Sequence, residues 1–256
     1  WLLAGGAQAA SSPFWADFVA VGAGDCILLG CDGEVMMVDT GPSGAWGSVY
    51  RGLVDEAVQR IDVLVVTHPH PDHAGNVARV VDRWPVGEAW VSKAVSEADQ
   101  QSVLDTLTNA DVPVRSVGRG DRFTLGSADV EILWPDGVPL KLINDQSIVM
   151  RVTYHGFSLL LMGDVEREAE MGLLAGENSV RLGADLIKPG HHGLATSTTY
   201  PFAREVAAKY AVISCDKAGR KVTTAQQTID TLITCGAKSI LETGNVGTVY
   251  LEINQA

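Results

Sequence analysis

Asp62-Val63-Leu64-Val65-Val66-Thr67-His68-Pro69-His70-Pro71-Asp72-His73 is the stretch that decides the fold. Its first half is a continuous apolar run, as expected of a strand covered on both faces within a layered α/β fold. Its second half places four potential metal ligands, His68, His70, Asp72 and His73, within six residues, and ligand sites of α/β folds gather at the carboxyl ends of such strands. Alternate positions of an extended loop point the same way, so His68 and His70 can share one ion while Asp72 and His73 turn toward a second. Pro69 and Pro71 fix φ on either side of His70 and reduce the entropy lost when the ligands are ordered; Gly75 lets the next helix begin close to the loop. The competing reading is a solvated loop, but three of the chain's six histidines fall here.

Working outward, short apolar runs precede this strand: Trp15 to Val21, Cys26 to Gly30 and Val35 to Asp39, separated by Gly22-Ala23-Gly24-Asp25 and Asp32-Gly33. These are hairpin-type turns, so an antiparallel meander is expected. Val49, Leu53, Ala57 and Val58 recur at helical spacing between the meander and the metal loop. Downstream, helical and strand patterns alternate to about Gly120, with Ser96 and Asp99 marking one helix start. The second half repeats the order: strands at Phe123 to Leu125, Val130 to Trp134, Ile148 to Thr153 and Phe157 to Met162, a helix from Val165, the strand Leu186-Ile187, a helix after Ser197, the strand Ala211 to Ser214, a helix capped by Thr224, and strands near Ile240 and Val249. Hairpins first and helices after, twice over, predict two β-sheets face to face with helices outside.

The 256 residues, 46% hydrophobic and 20% charged, suit one well-filled domain over residues 14–256, with 1–13 as a linker or the stub of an upstream segment. No apolar run approaches the roughly 20 residues that cross a bilayer. The net charge of -12 repels polyanions on average and disfavours tight, unaided nucleic-acid binding. Cys26, Cys31, Cys215 and Cys235 lack C-x-x-C spacing and read as buried free thiols.

Three further clusters sit at strand ends: Asp39 in Val38-Asp39-Thr40-Gly41, Asp164 in the Gly163-Asp164 turn, and His191-His192-Gly193 beyond Leu186-Ile187-Lys188-Pro189. An Asp ending a strand is usually a helix cap, so their joint occurrence carries the argument. His68 to His73 resembles the H-x-H-x-D-H signature of the metallo-β-lactamase superfamily, and Asp39, Asp164 and His191-His192 stand where its other motifs fall in order. More narrowly, Phe18 to Cys26, Asn144-Asp145-Gln146-Ser147, Leu160 to Glu166 and Lys188 to Gly193 look like the lactamase-like domain of the ComEC/Rec2 DNA-uptake channel.

The resemblance implies an αββα sandwich, a two-metal nuclease acting on incoming DNA, and attachment to the rest of a polytopic bacterial membrane protein, with the domain on the extracytoplasmic side and no stable partner chain. It implies His68, His70, Asp72, His73, Asp164 and His192 as metal ligands, with Asp164 between the ions, Asp72 orienting the attacking water, and His191 facing substrate. Two divalent cations are implied; imidazole and carboxylate without thiolate suit zinc or manganese equally. Asp39 would hold the loop by accepting from histidine N–H groups, and Lys188 and Ser197 could contact phosphate oxygens, beside a plain surface role for the lysine and helix capping for the hydroxyl. The chain departs from the family in carrying His70 where Asp is frequent and Ala23 where Gln is usual. A third histidine expected shortly before Ser147 is absent; Asn144 and Asp145 are the polar residues there, so one ion is expected to be weakly held or completed by water. The alternatives are a small-molecule or cell-wall phosphodiesterase on the same scaffold, and a non-catalytic DNA-guiding module.

Overall fold

The computed structural model describes residues 2–4, 14–175, 182–217 and 222–253. The first sheet contains β1 (Leu2–Ala4), β2 (Phe14–Phe18), β3 (Ile27–Cys31), β4 (Glu34–Val38), β5 (Ile61–Val66), β6 (Val86–Ser92) and β7 (Val114–Val117). The expected meander is present: β2, β3 and β4 pair antiparallel across the two glycine turns, and β4 to β7 then run parallel. The second sheet repeats this plan with β8 (Arg122–Leu125), β9 (Ala128–Trp134), β10 (Val149–Tyr154) and β11 (Phe157–Leu161) antiparallel, followed by parallel β12 (Leu186–Lys188), β13 (Tyr210–Ile213) and β14 (Ser239–Glu242). The last strand, β15 (Val249–Ile253), returns to the first sheet between β1 and β2. Residues 2–4, read from sequence as part of a linker, thus form an edge strand; the remainder of 1–13 lies outside the described residues.

Helices cover both outer faces. α1 (Trp46–Asp55), α2 (Pro71–Ala74), α3 (Val77–Arg83) and α4 (Glu97–Asn109) belong to the first half. α5 (Arg167–Ala175), α6 (Tyr200–Val206), α7 (Gln226–Thr234) and α8 (Thr243–Val246) belong to the second. Strand alternation sorts the apolar residues into three layers. Phe18, Leu29, Val38, Val65 and Trp90 meet Ile132, Met150, Val152, Leu159 and Leu161 between the sheets. Leu28, Met37, Leu64 and Val66 point the other way onto Val49 and Leu53 of α1 and Val80 of α3, and Leu160 and Ile187 face Leu173 of α5 and Phe202 of α6. Cutting one such buried leucine, Leu53 for example, to alanine costs about 2–5 kcal/mol. This is the αββα sandwich.

Local signals place most helix starts. Ser96 caps α4 by accepting from Asp99 N at 3.2 Å. The expected Thr224 cap is not formed: Ala225 N donates to Gly193 O at 3.0 Å and α7 begins after it, so the tertiary partner sets the start. No helix among the described residues is long and apolar enough to cross a membrane.

Candidate metal centre

The loop after β5 folds as its prolines dictate. His70 is extended, Pro71 opens α2, and His73 falls on that helix's buried side. A Cβ on Gly75 would lie 2.6 Å from Ser43 N, so the glycine is what lets α2 approach the Gly41–Ser43 loop. Strand ends β4, β5, β11 and β12 meet at one rim of the sandwich, delivering Asp39, the histidine loop, Asp164 and His192 respectively.

Asp72, His73, Asp164 and His192 converge, their ligand atoms all within 4.8 Å of one another. Nε2 of His73 lies 3.1 Å and Nε2 of His192 3.3 Å from Oδ2 of Asp164; Oδ2 of Asp72 is 3.6 Å from Nε2 of His192. Both ring nitrogens are buried and make no hydrogen bond among the described residues. Buried lone-pair donors of mixed imidazole and carboxylate character, aimed at one point, fit a divalent cation. The opposite edge of each ring is already used. His73 Nδ1 is 2.7 Å from Asp39 Oδ2, and His192 Nδ1 is 3.1 Å from Ser214 O. These contacts fix the tautomer that presents Nε2. Of the two adjacent histidines it is thus His192 that points Nε2 into the cluster, on a left-handed backbone (φ 55°).

The other pair is less complete. His68 Nε2 is 3.1 Å from His70 Nδ1 and 4.0 Å from Asp164 Oδ2, but the three ligand atoms do not close on one another as those of the first group do, and no third imidazole joins them. Ser147 occupies that side: its Oγ lies 3.2 Å from His68 Nδ1 and accepts from Asp164 N at 3.3 Å. Asn144 faces the rim, donating to Glu166 Oε1 at 3.0 Å. Asp145, expected beside the ligands, instead accepts from the amides of Glu166 and Ala169 and caps α5. Its carboxylate is consumed by backbone donors.

Charge is balanced within the site. Burial alone would lower His73, but Asp164 and Asp39 hold it well above its usual value. Burial and the neighbouring His73 push His68 well below. At Asp72, burial is overcome by His192 and His73, and the carboxyl lies at about 2.

Lys188 and Ser197 depart from their expected roles. The Lys188 side chain has no exposed surface, because β12 is covered on both faces; its ammonium pairs with Asp25 Oδ2 and donates to Gly163 O at 2.8 Å. It is thereby withdrawn from any phosphate. Ser197 Oγ donates to Gly190 O at 2.7 Å and pins the His191-His192 loop. His191, with its side chain 23% exposed and Nδ1 3.1 Å from Glu166 Oε1, stands at the mouth. Sequence reasoning missed Asp25, Thr67 and Ser147. Thr67 donates through both N and Oγ1 to the Asp39 carboxylate, at 2.8 and 2.7 Å. Asp25 was signalled only by its glycine turn, in which a Cβ on Gly24 would collide with the Asp72 carbonyl. Asp25, Asp39 and His73 also cluster closely; Asp39 is satisfied by Thr67 and His73, whereas Lys188 pairs with Asp25 Oδ2 and leaves Asp25 Oδ1 buried without a hydrogen-bond partner among the described residues.

The Metallo-beta-lactamase superfamily model matches residues 19–216. The chain belongs to that superfamily. Among superfamily relatives, it is 26% identical over 223 residues to ComE operon protein 3 of Bacillus subtilis, covering 80% of this chain and 28% of that protein. It is 26% identical over 209 residues to Recombination protein 2 of Haemophilus influenzae, covering 80% and 24%. The chain thus spans about a quarter of the length of these relatives. Among solved superfamily structures, the metallo-beta-lactamase fold protein YhfI of Bacillus subtilis superposes with a TM-score of 0.62 at 14% identity, covering 92% of this chain and 98% of that one. That likeness concerns the fold.

Proposed function

We propose that this chain is a metal-dependent phosphodiesterase that acts as a nuclease on DNA during competence uptake, as a domain of a larger membrane-anchored bacterial protein facing the extracytoplasmic side. The observation that carries the metal chemistry is the convergence of Asp72, His73, Asp164 and His192, with ring nitrogens that make no hydrogen bond among the described residues; the similarity to ComE operon protein 3 and Recombination protein 2, and to Competence protein ComA of Neisseria gonorrhoeae, supports DNA as the substrate. Asp72, His73, Asp164 and His192 would hold one divalent cation, manganese or zinc, and His68 and His70, with Asp164, would hold a second. Such a pair supplies an acidified water and stabilises the attacking and leaving oxygens of an in-line displacement. Asp164 Oδ2, 4.0 Å from His68 Nε2 and 3.1 Å from His73 Nε2, is the carboxylate that would serve both positions. Asp72, 38% exposed along its side chain, reaches the rim where it can orient water. His191 meets a phosphate oxygen at the mouth, steadied by Glu166 and by Thr196, whose Oγ1 is 3.2 Å away.

The balance of 31 acidic against 19 basic residues leaves DNA weakly held by this domain alone, since counterion release by Lys and Arg normally supplies that affinity. The same charge favours a second reading, a small-molecule or cell-wall phosphodiester as substrate. The test is incubation of the purified chain with a chromogenic phosphodiester and with single- and double-stranded DNA, under manganese, zinc or chelator. Metal-dependent DNA cleavage supports the nuclease. Cleavage of the small ester alone supports the second reading, and no cleavage of either under any metal removes both.

A further inference from the structure

Away from the metal ligands, a cavity of about 310 Å³ opens between α1 and the strands β2 and β15. Its wall includes Asp17 of β2, Arg51 and Asp55 of α1, Glu56 just after that helix, and Tyr250 of β15. Asp17 and Tyr250 are direct cross-strand partners, and at Asp17 the strand turns a carboxylate toward the helix layer where its neighbour Leu28 is apolar core. Asp17 is 5% and Tyr250 9% exposed. Asp17 Oδ1, Glu56 Oε1 and the Tyr250 hydroxyl are all buried and have no hydrogen-bond partner among the described residues. Buried carboxylates are ordinarily paired or hydrogen-bonded, because the unpaired charge is costly. Here burial, then Glu56 and Asp55, push Asp17 up to about 7, and burial with Asp55 does the same to Glu56.

We propose that this cavity binds an organic cation, an alkylammonium or guanidinium group, through Asp17 and Glu56 with the Tyr250 hydroxyl beside them. Apart from Arg51, the charged groups of the wall are the carboxylates of Asp17, Asp55 and Glu56, so the cavity offers oxygen acceptors, and these cations bring only N–H donors, three on an ammonium and five on a guanidinium. A bare metal ion fits worse. The volume is about ten times a water molecule's share of the liquid, and the three carboxylates do not converge as the ligands at the metal centre do. A hard dication would want six or more oxygens closed around it. The group could arrive on a free polyamine or on a lysine or arginine side chain of a polypeptide; the recognition chemistry is the same.

The experiment is thermal denaturation and titration calorimetry of the metal-loaded chain with putrescine, agmatine, N-acetyl-lysine amide and N-acetyl-arginine amide, beside calcium chloride and sodium chloride. Saturable binding of at least one amine or guanidine, with Tm raised by about 5 °C or more at a hundredfold excess over Kd, is the expected result. It should weaken at least tenfold in Asp17→Asn and in Glu56→Gln. Preference for the diamines identifies a free polyamine, and preference for the capped amino acids a side chain. Glu56 is half-buried, so Glu56→Gln keeps the test available should Asp17→Asn fold poorly. Absence of binding by all four organic cations, binding indifferent to both substitutions, or an Asp17-dependent response to calcium alone would overturn the proposal.

Discussion

Oδ2 of Asp39 lies 2.7 Å from Nδ1 of His73, so a residue that binds no ion decides which face of the imidazole does. Asp39→Asn removes the anionic acceptor shared by His73 and the two donors of Thr67. Metal affinity is expected to fall 10- to 100-fold, measured by competition with a chromophoric chelator. Unchanged affinity would reduce Asp39 to a structural turn.

The two halves of the centre are unequal, and occupancy should follow. Asp72→Ala or His192→Ala is expected to lose the ion that survives dialysis. His70→Ala should spare that ion and remove the weaker one; His68→Ala should do likewise. Elemental analysis after dialysis against graded metal concentrations reads this directly, and equal losses in all four variants would mean that both positions bind as a unit.

Asp164→Asn should lower hydrolysis by about a hundredfold or more, equivalent to about 2.7 kcal/mol at the transition state, because an amide cannot serve two cations as a carboxylate does. Lys188 keeps its Asp25 partner, so the fold is expected to persist, with a circular-dichroism spectrum like that of the parent. Full activity in a folded variant would leave Asp164 as a turn residue.

Lys188→Met removes the ammonium paired with Asp25 in its buried cluster with Asp39 and Asp164. Breaking one side of such a pair costs about 3–5 kcal/mol, and adding Asp25→Asn should recover much of it. Urea denaturation of the single and double variants measures both. A single variant as stable as the parent would show that the ammonium contributes nothing to the buried network.

Burial pushes Glu170 up to about 7 even though its carboxylate accepts from Thr199 N at 2.9 Å. Its unfolded value is 4.5, so between these values the folded chain binds the extra proton. The stability it contributes is full below about pH 4.5 and is lost as pH rises through about 7, a loss of at most about 3 kcal/mol. Glu170→Gln should flatten that slope in urea titrations at pH 5 and 8. A parent protein equally stable at both values, with a variant that behaves the same way, would contradict the assignment.

The histidine loop was legible because its ligands are neighbours in sequence and its strand is apolar without interruption. The layered fold was legible for a similar reason: turns and periodicities are local. Asp25, Lys188 and Ser147 were not, because each acquires its role from a partner far along the chain. Lys188 looked like a phosphate contact until β12 proved to be covered on both faces. Thr224 looked like a cap until Gly193 took the amide that sets the start of α7. Asp145 stood where a ligand was sought, but the nearest donors to its carboxylate are the amides opening α5.

Asp72 and His73 leave the first sheet, whereas Asp164 and His192 leave the second. A cation gripped by all four is therefore a clasp joining two leaves of the sandwich at one rim, closing a long span of chain. Stripping it should let that rim fray before the opposite one, so that amides at Gly163, Asp164 and His192 exchange with solvent early while the inner strands stay protected. The catalytic ion would then also act as a fastener, and a chain short of metal would lose its shape first at the place where it works.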